Sequence, residues 1–186
     1  PMNYCRIRGI ELSNYRQFVK QEILINKGST KNIVIIEGKN GFGKSNIFNA
    51  ITWCFFGIEQ HLKTDEKALP ICNTREFSKL EPERFIESKV KILLDTDEGA
   101  KEVERTVVTH KNKDGSHYQE KSVIKVMEQD GQNWIYAPYP EIVIQRIVPK
   151  GMAHFFFIDG EKLRQLFENI KSRIIKDSIF DLSQIT

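Results

Sequence analysis

The residues best suited to chemistry are Gly38-Lys39-Asn40-Gly41-Phe42-Gly43-Lys44-Ser45. They complete a G-x-x-x-x-G-K-[ST] pattern, the spacing of a loop whose backbone wraps a polyphosphate. Glycines at these positions let successive N–H groups and a helix N-terminus turn toward negative charge. Lys44 is expected to reach the β- and γ-phosphates, and the Ser45 hydroxyl to ligate Mg²⁺. The cradle read from the sequence is Gly38, Asn40, Gly41, Phe42, Gly43, Lys44, Ser45 and Asn46, with Lys44 as catalytic cation and ATP with Mg²⁺ as ligand. The plainer alternative is a glycine-rich strand-to-helix turn that binds nothing.

A second acidic motif is Phe155-Phe156-Phe157-Ile158-Asp159-Gly160-Glu161-Lys162-Leu163. Four apolar residues followed by an acid suit a strand whose terminal aspartate holds Mg²⁺ while a glutamate polarises water. Asp159 is therefore a catalytic and metal-binding candidate beside Ser45, although Gly160 separates it from Glu161. It is also well placed as a helix N-cap, with Glu161 answering the helix dipole.

For the first motif to work, a buried strand must precede it and a helix must follow. Residues 32–37 contain the apolar run Ile33-Val34-Ile35-Ile36, which predicts a strand buried on both faces. Beyond the loop, Ile47, Ala50, Ile51, Cys54 and Phe55 recur at helical spacing, predicting a helix over 45–56 that ends at Gly57. Strands are predicted over 6–12 and 21–25, with Asn14-Tyr15-Arg16-Gln17-Phe18 between them. Residues 58–83, broken by Pro70 and Pro82, read as an irregular connection with one short helix. Runs over 86–94, 101–110, 118–129 and 134–137 alternate with Asp97-Glu98-Gly99, Asp114-Gly115 and Asp130-Gly131, the pattern of an antiparallel meander. A helix over 142–148, a strand over 155–158 and a helix striped by Leu163, Leu166, Phe167, Ile170 and Ile174 complete the reading. The expected class is α/β: a mixed sheet around a P-loop helix, plus an antiparallel β-meander. Its segments are a P-loop core (1–57), the connection (58–85), the meander (86–137) and a region of helices with the acidic-motif strand (138–186).

Composition sets the outer limits. The 186 residues, 40% of them hydrophobic, suffice for a core-driven fold without disulfides. Cys5, Cys54 and Cys72 are far apart and lack CxxC spacing, so they read as small apolar residues in a reducing, cytoplasmic setting. No apolar run approaches membrane-spanning length and the first residues lack a secretory pattern, so no membrane partner is expected. The net charge of +3 comes from interspersed charges and identifies no partner. Lys111-Asn112-Lys113 reads as a solvated hairpin tip, and His61, His110, His117 and His154 as scattered ordinary positions.

The form of the loop, N-x-G-x-G-K-S near the N-terminus, resembles that of the SMC and RecF type of ABC ATPases, and Asn14-Tyr15-Arg16-Gln17-Phe18 resembles their N-F-R-x-F segment. This resemblance implies that Arg16 meets the nucleotide phosphates or base edge, and that Asp159 stands at a Q-loop position. The choice between Q-loop and Walker B for Asp159 stays open. Trp53-Cys54-Phe55-Phe56-Gly57 and Phe155-Phe156-Phe157-Ile158-Asp159-Gly160-Glu161-Lys162 look like segments of the DndD family of DNA phosphorothioation proteins and related SMC-like defence ATPases. In that family the ATPase head is split by a coiled coil. No L-S-G-G-Q-like signature, adjacent D-E Walker B pair or switch histidine occurs in these residues, and the family keeps those elements in a C-terminal lobe. The resemblance thus implies the N-terminal lobe of an ABC/SMC head, with 138–186 leading toward the coiled coil. Implied partners are its own C-terminal lobe, a second head in a nucleotide-dependent dimer, other modification-complex proteins, and DNA through the assembled complex. A DNA-repair ATPase lobe and a stand-alone P-loop phosphotransferase are the alternatives.

Overall fold

The computed structural model describes residues 4–25, 34–39, 41–59 and 69–149. The chain divides into two compact units, Pro1–Lys150 and Gly151–Thr186, and every described residue belongs to the first. The strand predicted over 155–158, the helix after it, Asp159, Glu161 and Asn40 lie outside the described residues.

Among the described residues the elements follow in order: β1 (Cys5–Tyr15), β2 (Phe18–Leu24), α1 (Lys44–Phe56), α2 (Thr74–Ser78), β3 (Phe85–Thr96), β4 (Gly99–Lys111), β5 (His117–Gln119), β6 (Val123–Asp130), β7 (Asn133–Tyr136) and α3 (Pro140–Ile147). The strands form one sheet in the order β2-β1-β3-β4-β6-β7, with β5 on β4 beside β6. Every ladder among the described residues is antiparallel. The first two strands and the meander therefore share one sheet, joined where Ile10 faces Ile92 and Leu12 faces Val90.

Strand β3 shows why the sheet has an inside. Its residues alternate, with Ile86, Ser88, Val90, Ile92, Leu94 and Thr96 buried, as a period-2 backbone with one covered face requires. The inner face of Ile10, Leu12, Val90, Ile92, Val103, Val107 and Val126 is buried, and α1, packed on β3 and β4, buries Ile47, Ala50, Trp53, Cys54 and Phe55. Each large side chain fully withdrawn from water contributes about 1.5–3 kcal/mol. On the outer face Lys91 lies 3.8 Å from Glu11 and 3.6 Å from Glu102, and Lys89 lies 3.5 Å from Glu104. Such exposed pairs stabilise by at most about 1 kcal/mol each. Charge on that face keeps it in water more than it holds the strands together.

Helix α1 is fixed at both ends. Gly57 closes it with φ 72°, and its N–H donates to the Trp53 carbonyl at 2.8 Å. From β4, Arg105 donates through Nε to the Cys54 carbonyl at 2.9 Å and through Nη1 to Ser122 Oγ at 3.0 Å. A cation at the carbonyl end of a helix opposes the negative pole of its dipole.

Several expectations hold and several need correction. The helix after the loop, one short helix in 58–83, and the meander are present. Helix α3 begins two residues earlier than its apolar spacing suggests because Pro140 fits a first helical turn. The run 118–129 divides into β5 and β6 at residues 120–122. Cys5 is exposed, whereas Cys54 and Cys72 are buried as expected. The largest correction concerns residues 32–37: of these, 34–37 are described, they join no ladder, and Val34, Ile35 and Ile36 are 56%, 76% and 47% exposed. A doubly buried strand needs a neighbour on each edge. Both edges of β1 are already taken by β2 and β3, so it offers this run no partner. The described sheet is therefore antiparallel, where a mixed sheet was expected.

The core has a titratable element. Burial pushes the Cys54 thiol up to about 12, against the opposing charge of Arg105, and its Sγ donates to the carbonyls of Val90 at 3.5 Å and Val103 at 3.4 Å. A raised thiol pKa favours the fold while the thiol is protonated in both states, and that contribution fades once the unfolded chain ionises, from about pH 9 upward. Urea unfolding should therefore show stability falling by about 1.4 kcal/mol per pH unit between about pH 9 and 12 from this group. Cys54→Ala should remove that part of the slope.

Candidate functional site

The glycine-rich segment folds as a cradle. The Phe42 N–H donates to the Lys39 carbonyl at 3.3 Å, and Gly41 and Gly43 take φ of 85° and 94°. Lys44 turns back across the start of the loop, its Nζ donating to the carbonyls of Gly38 at 2.6 Å and Lys39 at 3.0 Å. Helix α1 begins directly at Lys44, its first helical bond running from the Ile47 N–H to the Gly43 carbonyl at 3.0 Å. Gly43 supplies no side-chain cap, and the first turn carries no acidic residue. The positive pole of a 13-residue helix thus opens onto a glycine loop with an ammonium beside it. That donor set suits a polyanion. Ser45 is exposed at the helix start, and its hydroxyl is the kind of hard oxygen that completes a Mg²⁺ shell together with phosphate oxygens and water. Phe42 is 71% exposed and contributes its backbone to the loop.

The tight turn between β1 and β2 is seated against this loop. A Cβ on Gly43 would overlap the Gln17 carboxamide and approach Cζ of Phe18 to 2.8 Å. Asn46, in the first turn of α1, donates through Nδ2 to Gln17 Oε1. Glycine at 43 is favoured by its left-handed backbone, and a side chain there would have to displace the ends of Gln17 and Phe18.

Arg16, the neighbour of Gln17, is directed elsewhere. Its guanidinium pairs with the Glu59 carboxylate, with Nε on Oε1 at 2.8 Å and Nη2 on Oε2, while Nη1 donates to the Pro70 carbonyl at 3.0 Å. The Tyr15 hydroxyl adds a third hydrogen bond to Glu59, at 2.6 Å. Burial disfavours the Arg16 charge, but hydrogen bonding and attraction to Glu59 outweigh it and raise its pKa. Burial and the Glu59 charge push the Tyr15 hydroxyl up as well. The backbone is equally committed, since the Arg16 N–H donates to the Ile71 carbonyl at 2.9 Å and the Asn73 N–H to the Asn14 carbonyl at 2.9 Å. Asn14 and Arg16 hold φ of 47° and 48°, which side-chain-bearing residues keep only where surrounding bonds over-determine them.

Of the residues expected at the site, Gly38, Gly41, Phe42, Gly43, Lys44, Ser45 and Asn46 lie along one loop and helix start. Arg16 belongs to the turn packed on them, with its charge engaged by Glu59. Asn40 and Asp159 lie outside the described residues. Sequence reasoning missed Gln17, Glu59 and Arg105. Gln17 lies inside the segment singled out, but spacing cannot report which side chain of a turn faces which neighbour. Glu59 stands in a stretch without periodicity, and only folding brings it to Arg16.

The hairpin tip has a structural role. Lys111 Nζ donates to the carbonyls of Ser78 at 3.1 Å and Leu80 at 2.6 Å, closing the end of α2, while Lys113 is exposed and 3.4 Å from Glu83. A shallow cavity of about 430 Å³ there is lined by Glu83, His110, Lys111, Asn112, Lys113 and Tyr118, none of them in the glycine-rich loop. No helix among the described residues is long and apolar enough to cross a membrane.

Removing one member of a buried, multiply bonded ion pair strands the other. Glu59→Ala should therefore cost about 3–5 kcal/mol in urea-unfolding free energy, well above a surface glutamate such as Glu87→Ala. Equal effects of the two would show that the cluster is not a structural anchor.

The SbcC subunit of nuclease SbcCD from Staphylococcus aureus strain JH9 and its counterpart from strain Newman are each 40% identical to this chain over 60 residues, a match covering 32% of the chain and 6% of those proteins. The chain thus spans only a small part of the length of the curated relatives it matches. A family model described as AAA domain matches residues 10–186, nearly the whole chain, and the protein belongs to that family of ATPase domains.

Proposed function

We propose that this chain is the ATP-binding lobe of an SMC-like, DNA-associated ATPase, which hydrolyses ATP when a C-terminal lobe and a second head complete the site. The observation that carries this reading is the glycine cradle closed by Lys44 at the uncapped start of α1. There the loop N–H groups and Lys44 would hold the phosphates, and Ser45 would hold Mg²⁺, which would supply charge to offset that of the phosphates. Asp159 is the proposed further metal contact and catalytic residue, with DNA and other modification-complex proteins as partners of the assembled head, in the cytoplasm. The scarcity of catalytic acids in the motif set favours binding over turnover by this chain alone.

Two biological roles are each supported by a particular observation. Trp53-Cys54-Phe55-Phe56-Gly57 and the Phe155 to Lys162 segment support a role in DNA sulfur modification or the linked anti-phage defence. Similarity to the SbcC subunit of nuclease SbcCD supports DNA-break processing. Deleting the gene in its host separates them: loss of phosphorothioate linkages from digested DNA points to the first, and sensitivity to double-strand breaks with sulfur content unchanged points to the second.

Titration calorimetry tests the shared core of both roles. Mg·ATP should bind the chain, and Lys44→Ala should weaken binding by at least about tenfold, the loss of one charge-assisted contact. Equal binding by both proteins would remove the proposal. Rapid substrate-dependent ATP turnover by the isolated chain would favour a stand-alone phosphotransferase.

A further inference from the structure

One end of the sheet, where β3, β4 and β5 meet, carries three aromatic rings in a row. The register sets Phe85 directly opposite His110 and His110 directly opposite Tyr118, so the three side chains share one face. Their neighbours Ile86 and Thr109 are buried on the inner face, which leaves the rings on the outer one. Successive ring centroids lie 5.7 Å and 5.9 Å apart, and the His110 and Tyr118 rings stack at 29°. Phe85 and Tyr118 are nevertheless 61% and 59% exposed. Cross-strand contact explains why the rings pair, but not why so much of them faces water. Beside them lies the cavity at the hairpin tip, whose lining sets Lys111 and Lys113 against a single carboxylate, Glu83. Lys111 Nζ donates to two backbone carbonyls, which leaves its charge without a carboxylate partner among the described residues. Lys113 and Glu83 are both exposed, and their 3.4 Å pair is of the weak surface kind that a phosphate can displace.

We propose that this end of the sheet is a platform for single-stranded nucleic acid, with bases stacked on Phe85, His110 and Tyr118 and backbone phosphates drawn to Lys111 and Lys113. Every base has a π-face, so such a platform tolerates any sequence. A duplex hides those faces in its own stack, whereas a single strand can splay bases onto protein rings. The support is ordered in advance, which lowers the entropy lost on binding. His110 Nε2 and Glu120 Oε1 share a hydrogen bond of 2.6 Å that sets the central ring, and the Glu120 N–H donates to the Val108 carbonyl at 2.9 Å, tying β5 to β4. At the tip the Asn112 N–H donates to the Ser116 carbonyl at 2.9 Å and the Gly115 N–H to the Asn112 carbonyl at 3.0 Å. Glu83 and Glu120 oppose a polyanion, so stacking carries more of the affinity than charge does. The platform shares no residue with the glycine-rich loop and does not depend on that loop binding a nucleotide.

Fluorescence anisotropy of a labelled oligothymidylate of about 15 nucleotides, with the whole chain and without ATP, tests this. Tyr118→Ala should weaken binding about tenfold, the loss of one stacked base, and Tyr118→Phe, which keeps the ring, should stay within about twofold of the parent. Phe85→Ala, at the other end of the row, should show a loss similar to that of Tyr118→Ala. Both positions are exposed, and thermal unfolding verifies that each variant keeps its fold. A duplex of the same length should bind at least about tenfold more weakly than the single strand. Two phosphate contacts at about 0.7 each predict a log–log salt slope no steeper than about −1.4. Unchanged binding by both alanine variants, a duplex bound as tightly as the single strand, or no binding at up to about 100 μM protein would each overturn the inference. A salt slope several times steeper would do the same, since it would place the strand on a more cationic surface. Lys44→Ala should bind the oligonucleotide normally; loss of binding there would move the strand to the glycine-rich loop and sink the platform, while the nucleotide reading keeps its own separate test.

Discussion

The seating of one tight turn determines how the rest of the molecule is organised. Arg16 and Tyr15 converge on the buried Glu59 carboxylate just beyond α1, while Gln17 and Phe18 press on Gly43 at its beginning. A turn of so few residues therefore ties both ends of α1 to the first hairpin. Three donors on one carboxylate offset the cost of withdrawing it from water, which an isolated buried pair would not achieve. The same bonds hold Asn14 and Arg16 in left-handed conformations that would otherwise relax.

This anchoring explains how an antiparallel sheet can position the glycine-rich loop. The helix rests its apolar face on β3 and β4, Arg105 closes its carbonyl end from beneath, and the β1–β2 turn closes its amide end from the side. The loop is left at the uncapped amide end of α1, with Lys44 folded back across its start. In this division of labour the sheet supplies rigidity and the loop supplies chemistry. Rigid support of this kind lets a glycine-rich segment keep a defined shape despite its backbone freedom.

Much of this was legible in the sequence because it rests on local signals. The Gly38 to Ser45 spacing identifies the cradle, the recurrence of Ile47, Ala50, Cys54 and Phe55 identifies α1, and three Asp/Gly turn signals delimit the meander. What was not legible depends on distant partners. The run Val34-Ile35-Ile36 has the composition of a buried strand, yet its pairing depends on which edges are free, and β2 and β3 occupy both edges of β1. Arg16 matches a nucleotide-binding motif, but its side-chain direction depends on Glu59, which lies 43 residues away in a stretch without periodicity. Gln17 carried no signal of its own until the turn was seen against Gly43.

The central claim is that the Gly38 to Asn46 cradle, together with the turn packed on it, is the nucleotide site. Amide chemical-shift mapping by ¹⁵N NMR on the intact chain during titration with Mg·ATP tests it most directly. The account predicts that the largest shifts fall on Gly41, Gly43, Lys44 and Ser45, with a second group at Arg16 and Gln17. Shifts that leave these amides unmoved and cluster instead around the cavity of His110, Asn112 and Tyr118 would contradict it.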